Sequence, residues 1–332
     1  MARTVNTAFS EFMSDIVNLD AAVVSDARKS RDNLLANIAE FSNKDGYFTL
    51  CGDFNVHFGS FARKTKCRKL DDIDLMIGIS ANGATYNSND TWDDVSITAS
   101  TDDSAQIACA NDDGTLNSTK VINKFKRILE GVREYTRSDI HRNGEAIVLN
   151  LKSKEWSFDI VPCFHTVVED NGRSYYLIPN GKGKWKKTDP LKDKEHVTTT
   201  NQDKNGRLLE LVRLIKRWNM TRNAGSIPSY LLETLIVYHA DSVNELNQYI
   251  DFRVRDAFKY IADNIGSSVS DMKEIQGDVN TLSSSSKSII KTRAQTDYEK
   301  ACTAWEYENS GDQENAIKKW GEIFGNDFPQ YG

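Results

Sequence analysis

The sequence predicts an α+β protein in two parts, a mixed α/β lobe followed by a helical lobe. Three observations carry that expectation. Strand-like alternation recurs up to Pro190, helical periodicity takes over after it, and an apolar run opening at Asp72 has two carboxylates built into it. At 332 residues the chain is long enough for one large or two ordinary domains. The division is expected near residue 195, giving a lobe at 1–195 that includes the N-terminal helices and a second at 196–332.

The elements follow in order. An amphipathic helix is expected over Asp26 to Phe41, then a strand-like run from Tyr47 to Phe58 that ends at Gly59-Ser60. From Leu70 to Thr119 there is no lysine or arginine, and the part after Ser80 is rich in Asn, Asp, Ser, Thr and Gly. That composition reads as a surface excursion with solvated acids, with room for short strands such as Val95 to Ala99. Val121, Phe125, Ile128, Leu129 and Val132 recur at helical spacing and predict a helix from Lys120 to about Tyr135. Glu145 to Leu151 and Glu155 to Phe164, joined by Lys152-Ser153-Lys154, read as an antiparallel hairpin. Beyond Pro190, Leu208, Leu211, Val212, Ile215 and Trp218 trace one buried stripe, with Arg213, Lys216 and Arg217 on the polar side. Further helices are expected at Tyr230 to Ala240, Asn247 to Ile265, Ile289 to Tyr307 and Glu314 to Phe324, with Gly325 as a C-cap and Ser283 to Ser286 as a linker or turn.

Composition narrows the function. The 39% hydrophobic and 27% charged content is that of a globular protein. There is no apolar run of about eighteen residues to span a bilayer. Glu11 and Asp15 sit where a secretion signal would be uniformly apolar, so a cytoplasmic protein without membrane association is expected. Cys51, Cys67, Cys109, Cys163 and Cys302 are scattered, odd in number and without CxxC spacing, which suggests neither a disulfide framework nor a zinc site. A net charge of -6 disfavours avid, sequence-independent binding to nucleic acid.

The chemistry concentrates between Gly59 and Gly78, GSFARKTKCRKLDDIDLMIG. In a strand Asp72, Asp74 and Met76 share one face and Ile73, Leu75 and Ile77 the other, so two carboxylates stand side by side about 6.5 to 7 Å apart along the strand. Asp71 falls on the opposite face. A bare Asp-x-Asp is more often an acidic strand end in solvent, but the run that follows is apolar on both faces, as in a central strand. Gly59 would let a phosphate approach the backbone, and the Ser60 hydroxyl would donate to it; alone, such a pair is only a turn. Asp159 breaks the apolar pattern of its own strand and is the best third acid.

These residues carry a resemblance. Gly59-Ser60, Asp72-Ile73-Asp74, Asp159, the IPNGKGKWKKTDP segment ending at Pro190, LVRLIKRWN ending at Asn219 and the closing WGEIFGNDFP together resemble the cGAS/DncV-like nucleotidyltransferases, bacterial cyclic-oligonucleotide synthases of the polymerase-beta-like superfamily. The resemblance runs from about Tyr47 to the end of the chain. It implies a polymerase-beta-like lobe with a mixed sheet, a helical lobe closing over the nucleotide, and a cleft between them. The implied reaction joins ribonucleoside triphosphates, ATP or GTP or both, into a cyclic second messenger with release of pyrophosphate. The messenger would activate a downstream effector in anti-phage defence. The cysteine- and histidine-built zinc insert with which the animal DNA sensor grips DNA has no counterpart here, so activation by DNA is not expected.

The resemblance also implies roles. Asp72, Asp74 and Asp159 would be the catalytic acids and would hold two Mg2+ ions, with Mn2+ as a substitute. Gly59 and Ser60 would bind nucleotide, Lys216 would reach the triphosphate, and Ser229, past Pro228 where a helix begins, would bind phosphate. A solvated helix face is the ordinary reading of Lys216 and an N-cap that of Ser229. Tyr176 and Trp185 are candidates for stacking on a base, with core packing the favoured role. Arg63 and Thr65 could line the cleft mouth or be exposed loop residues. The five histidines are isolated and receive no chemistry. Two rivals stand beside this reading: a template-independent transferase acting on an RNA end or a protein, and a catalytically silent nucleotide-binding scaffold.

Overall fold

The computed structural model describes residues 2–221 and 226–332. Its contacts divide the chain into two units, a sheet unit of residues 21–63 and 70–194 and a helical unit of residues 2–20, 64–69 and 195–332. The first twenty residues thus group with the C-terminal helices, beginning with α1, Val5–Phe12, which Thr4 caps by accepting from Thr7 N.

The sheet unit opens with α2, Ala21–Ala39, whose buried residues are Ala27, Leu34 and Ile38. The run from Tyr47 to Phe58 is not one strand. Cys51 N donates to Gly78 O, a 3-10 turn at Gly52–Phe54 interrupts the extension, and only β1, Val56–Phe58, is regular. Tyr47 and Phe48 are apolar for another reason, since Tyr47 packs edge-on with Phe41 and Phe125 and Phe48 packs edge-on with Tyr47. After β1 come the four-residue helix α3, Gly59–Ala62, and β2, Asp72–Gly78. The excursion that follows is more ordered than its composition suggests. It forms a two-stranded ribbon, β3 Thr85–Tyr86 with β4 Ile97–Thr98, and a short helix α4, Ser104–Ile107. Its acids are not all solvated: Asp103 is buried and caps α4 by accepting from Ala105 N and Gln106 N. Helix α5, Ser118–Glu130, is capped by Asn117 and stops at Gly131, short of Tyr135, which lies in a separate 3-10 turn.

The hairpin expected from the sequence is present as β6, Ala146–Asn150, antiparallel to β7, Ser157–His165, with β5, Asp139–Asn143, outside it. Strands β8, Tyr176–Pro179, and β9, Trp185–Thr188, extend the far end of β7. The order is β1-β2-β7-β6-β5, and β2 runs parallel to β7 while its other neighbour is antiparallel, so the sheet is mixed. Paired residues share a face. Ile73, Leu75 and Ile77 therefore line up with Phe158, Ile160, Ile147 and Leu149 on the face covered by α5. The opposite face carries the acids at one end and, beyond them, a small apolar cluster of Val56, Met76, Val161, Cys163, Tyr176 and Ile178.

Helix α6, Pro190–Asp203, straddles the division of the chain. The helical unit continues with α7 Leu208–Met220, α8 Ser229–Asp241, α9 Ile250–Asn264, α10 Ser284–Asn309 and α11 Gln313–Phe324, the last ending at Gly325 with φ +84°. The serine run expected to be a linker is the start of α10, with Ser283 as its N-cap. Phe9 and Phe12 of α1 pack on Trp320, Phe324 and Phe328, which explains why the N-terminal helix belongs to this unit. Among the described residues no helix is long and apolar enough to cross a membrane.

Candidate active site

The parallel pairing of β2 with β7 is what gathers the acids of the sheet unit. Asp74 pairs directly with Asp159, and Asp72 pairs with Ser157, so all three carboxylates leave one face of two neighbouring strands. Strand spacing puts the Asp74 and Asp159 backbones about 5 Å apart. Each of the three is half-buried between fully buried neighbours such as Ile73, Leu75, Phe158 and Ile160. The alternation is therefore kept through the site, with acids taking the places that apolar residues take farther along.

Phe58 at the end of β1 pairs with Asp74, which brings Gly59 against that carboxylate. A Cβ on Gly59 would lie 1.7 Å from Asp74 Oδ2 and 2.5 Å from its Cγ, and the backbone there has φ +71°. Only glycine fits, on both steric and conformational grounds. Ser60 follows as the second residue of α3. Arg63 does not line an open mouth. Its guanidinium pairs with Asp193 at 3.2 Å, and both side chains are almost wholly buried, which ties the end of α3 to the first turn of α6.

Among the described residues no group of three or more His, Cys, Asp or Glu side chains is gathered into a metal-holding set. The three-acid metal set expected from the sequence is thus not gathered as such, although Asp72, Asp74 and Asp159 leave one face of the sheet. Magnesium is usually held by one or two carboxylates, waters and substrate phosphates rather than by an all-protein cage. The three carboxylates offer oxygen donors, and a side chain larger than glycine's at position 59 would push the Asp74 carboxylate aside.

The helical unit holds the remaining candidates. Lys216 is not on a solvated face of α7. It is buried, and its Nζ donates to Glu233 Oε1 on α8, while Glu233 Oε2 accepts from the buried Thr65 hydroxyl at 2.9 Å. Thr65 is accordingly no exposed loop residue. Arg213 donates to Asn18 Oδ1 and Lys64 O, each at 2.8 Å, and burial lowers its pKa; Arg217 pairs with Asp327. Ser229 is exposed at the first position of α8, and the N-cap is Pro228, without a side-chain cap. Trp185 is entirely buried, packs edge-on against Phe164 and donates Nε1 to Leu116 O at 2.9 Å, so it stacks on no base. Tyr176 is buried as well, its ring against His165.

Sequence reasoning missed Glu233 and Asp193. Glu233 had a signal, because it is the single acid in the otherwise apolar first turns of α8, SYLLETLIVY, where a charge requires a partner. Asp193, in a lysine-rich segment, had none.

Over 336 residues the chain is 39% identical to a probable cyclic nucleotide synthase from Bacillus cereus, spanning 100% of this chain and 99% of that protein. The chain belongs to the cGAS/DncV-like nucleotidyltransferases. This cGAS/DncV-like enzyme also matches the Second Messenger Oligonucleotide or Dinucleotide Synthetase domain over residues 91–201. It is 28% identical over 204 residues to a cyclic AMP-AMP-AMP synthase from Acinetobacter, covering 59% of this chain and 56% of that one. Solved folds agree. CdnC of E. coli MS115-1 with ATP superposes with a TM-score of 0.72 at 15% identity over 98% of both chains. Vibrio cholerae DncV gives 0.59 at 14% identity, over 83% of this chain and 69% of its own. The polymerase-beta-like lobe with a mixed sheet and the C-terminal helices are thus those of a nucleotidyltransferase of the cyclic-oligonucleotide-synthase class.

Proposed function

We propose that this nucleotidyltransferase uses Asp72, Asp74 and Asp159 to join ribonucleoside triphosphates, ATP or GTP or both, into a cyclic oligonucleotide in a Mg2+-dependent reaction. The observation that carries the proposal is the register Asp74 to Asp159 on parallel strands, with Asp72 on the same face. In each transfer a ribose hydroxyl oxygen bonds to the α-phosphorus of a second triphosphate, the bond from that phosphorus to the bridging oxygen breaks, and pyrophosphate leaves with the bonding pair. The hydroxyl proton departs to a base or solvent. Two Mg2+ ions held by the three acids would lower the pKa of the attacking hydroxyl and offset charge on the phosphates. The protein's own part is to hold the carboxylates side by side and to keep Gly59 close, so that phosphate oxygens meet backbone rather than a side chain. Ser60, Lys216 and Ser229 are the proposed phosphate ligands.

The ring-closing step and the substrates draw support from relatives. One makes cyclic AMP-AMP-AMP, CdnC was solved with ATP, and DncV with the linear intermediate pppA(3',5')pG. A product of this kind would serve as a messenger to a separate effector in anti-phage defence, within the cytoplasm. The test is direct. Purified protein with labelled triphosphates and Mg2+ should release pyrophosphate and form a product that phosphatase does not shorten, and Asp74→Asn and Asp159→Asn should each cut the rate by about 1000-fold or more at an unchanged melting temperature. Full activity in Asp74→Asn ends the assignment, and a phosphatase-sensitive linear product redirects it to end-addition.

A further inference from the structure

We infer that Glu233 is a positioning residue for nucleotidyl transfer: it fixes the Lys216 ammonium and ties it to the chain that leaves the Gly59-Ser60 turn. The inference rests on the reading of Lys216 as a triphosphate ligand. Three parts of the helical unit meet at this carboxylate, namely α7 through Lys216, α8 through Glu233 itself, and the 64–69 segment through Thr65. Glu233 is 1% exposed, Thr65 0% and Lys216 6%, so the whole cluster is buried.

A buried ion pair is a weak source of stability, because desolvating two charges offsets their attraction, and apolar residues of similar size usually serve the fold as well. The neighbourhood offers that alternative, since Leu231, Leu232, Leu235 and Ile236 surround Glu233 along α8 and are all buried. Charge retained at such a place calls for a purpose other than cohesion. The geometry supplies one. A lysine on its own has four rotatable bonds and a freely turning ammonium with three donors. Binding one of the donors to Glu233 fixes where the nitrogen sits and leaves two N–H groups for an anion. Thr65 adds the link in sequence: it lies five residues beyond Ser60, and its hydroxyl is held by the same carboxylate. Movement of Lys216 and movement of the segment following the Gly-Ser turn are thereby coupled through one side chain.

Two features set this role apart from mere packing. Glutamine at 233 can accept from Lys216 through its carbonyl oxygen and donate to Thr65, whose hydroxyl also accepts, so Glu233→Gln should largely restore function where Glu233→Ala does not. And if Glu233 acts only through Lys216, its removal should have no effect on substrate binding once Lys216 is gone. The experiment is a cycle on the full chain with KM and kcat measured for triphosphate in Mg2+. Glu233→Ala is expected to raise KM about 10-fold with kcat changed far less, Glu233→Gln to stay within about 3-fold of the parent, and Lys216→Met to raise KM at least as much as Glu233→Ala. Lys216→Met/Glu233→Leu, which exchanges the pair for apolar residues and is expected to fold even where Glu233→Ala does not, should match Lys216→Met alone. A KM for the double variant that multiplies the single effects overturns the inference while leaving Lys216 as a ligand. An unchanged KM in Lys216→Met overturns the reading of Lys216 and the inference with it. Loss of melting temperature in Glu233→Ala with unchanged KM in the folded protein overturns the inference alone.

Discussion

Both units bury matched ion pairs, Arg63 with Asp193 and Lys187 with Glu169 in the sheet unit, but only the sheet unit sets three acids on one face of two strands. In the sheet unit three acids stand on one face of two strands, half-buried and all of one sign, at positions set by register. In the helical unit the charged groups are matched: Lys216 with Glu233, Arg253 with Glu210, and Arg293 beside Asp297, each pair having at least one member buried. Like charges gathered on one face repel one another, whereas a matched pair attracts. In the sheet unit strand register brings like charges together, and in the helical unit helix packing brings opposite charges together.

The comparison breaks first at glycine. Gly59→Ala puts a methyl into the Asp74 carboxylate and adds the strain of φ +71°, so the acid must swing away from its register partner. Activity should fall by about 100-fold or more, with stability reduced by about 1–3 kcal/mol. Gly321 in α11 has no atom within 4 Å of where a Cβ would lie, and an alanine there should leave the rate alone. Pyrophosphate release and thermal melts on both variants check the pair. Equal loss at the two sites would remove the special status of the Gly59 contact.

The same contrast explains what could be read in the sequence. A strand's period of two makes Asp72, Asp74 and Asp159 visible as polar residues in apolar runs, and the hairpin follows from adjacent alternating segments. The pairing of Asp74 with Asp159 could not be read, since it joins strands over eighty residues apart in sequence through a parallel crossing. Lys216 was misplaced for a related reason. Helical periodicity assigns a face from one helix alone, and a lysine whose counter-ion comes from α8 looks the same as one facing water. Tyr47 to Phe58 failed differently: its first aromatic residues belong to a cluster in which Tyr47 packs on Phe41, Phe48 and Phe125, not to a strand.

A smaller effect separates the units by pH. His239 on α8 is buried, its Nε2 has no hydrogen-bond partner, and desolvation lowers its pKa against the opposing pull of Asp256. The unfolded chain protonates this ring near pH 6.5 and the folded chain only at lower pH. His239 therefore costs no stability above that value. As the pH falls through 6.5 stability is lost, at up to about 1.4 kcal/mol per pH unit until the folded-state pKa is reached. In the sheet unit His57 and His165 shift the same way by burial but are half-exposed, so their share is expected to be less. Urea midpoints at pH 7.5 and 5.5 should differ less in His239→Gln than in the parent. An identical acid slope would mean that the loss arises elsewhere.

The smallest expected effect tests the serine run. A string of four serines has the composition of a linker, yet Ser283 has extended backbone angles and its Oγ accepts from Ser286 N at 3.1 Å, satisfying one of the free N–H groups at the start of α10. The hydroxyls of Ser285 and Ser286 lie 2.9 Å from the same oxygen. The helix this cap begins is 26 residues long and carries Ile290, Arg293, Ala294 and Asp297 into the core, so its N-terminus is anchored within two turns by burial. A cap on so well-held a helix contributes only its local hydrogen bond. Ser283→Ala should therefore cost about 0.5–1 kcal/mol, Ser283→Asp should cost nothing or add slightly through the helix dipole, and Ser284→Ala should be neutral or stabilising because alanine is the better helix former. If the run were a linker, all three substitutions would be silent in a chemical denaturation series. The ordering Asp at or above Ser, with Ala below, at position 283 alone is the signature of a cap.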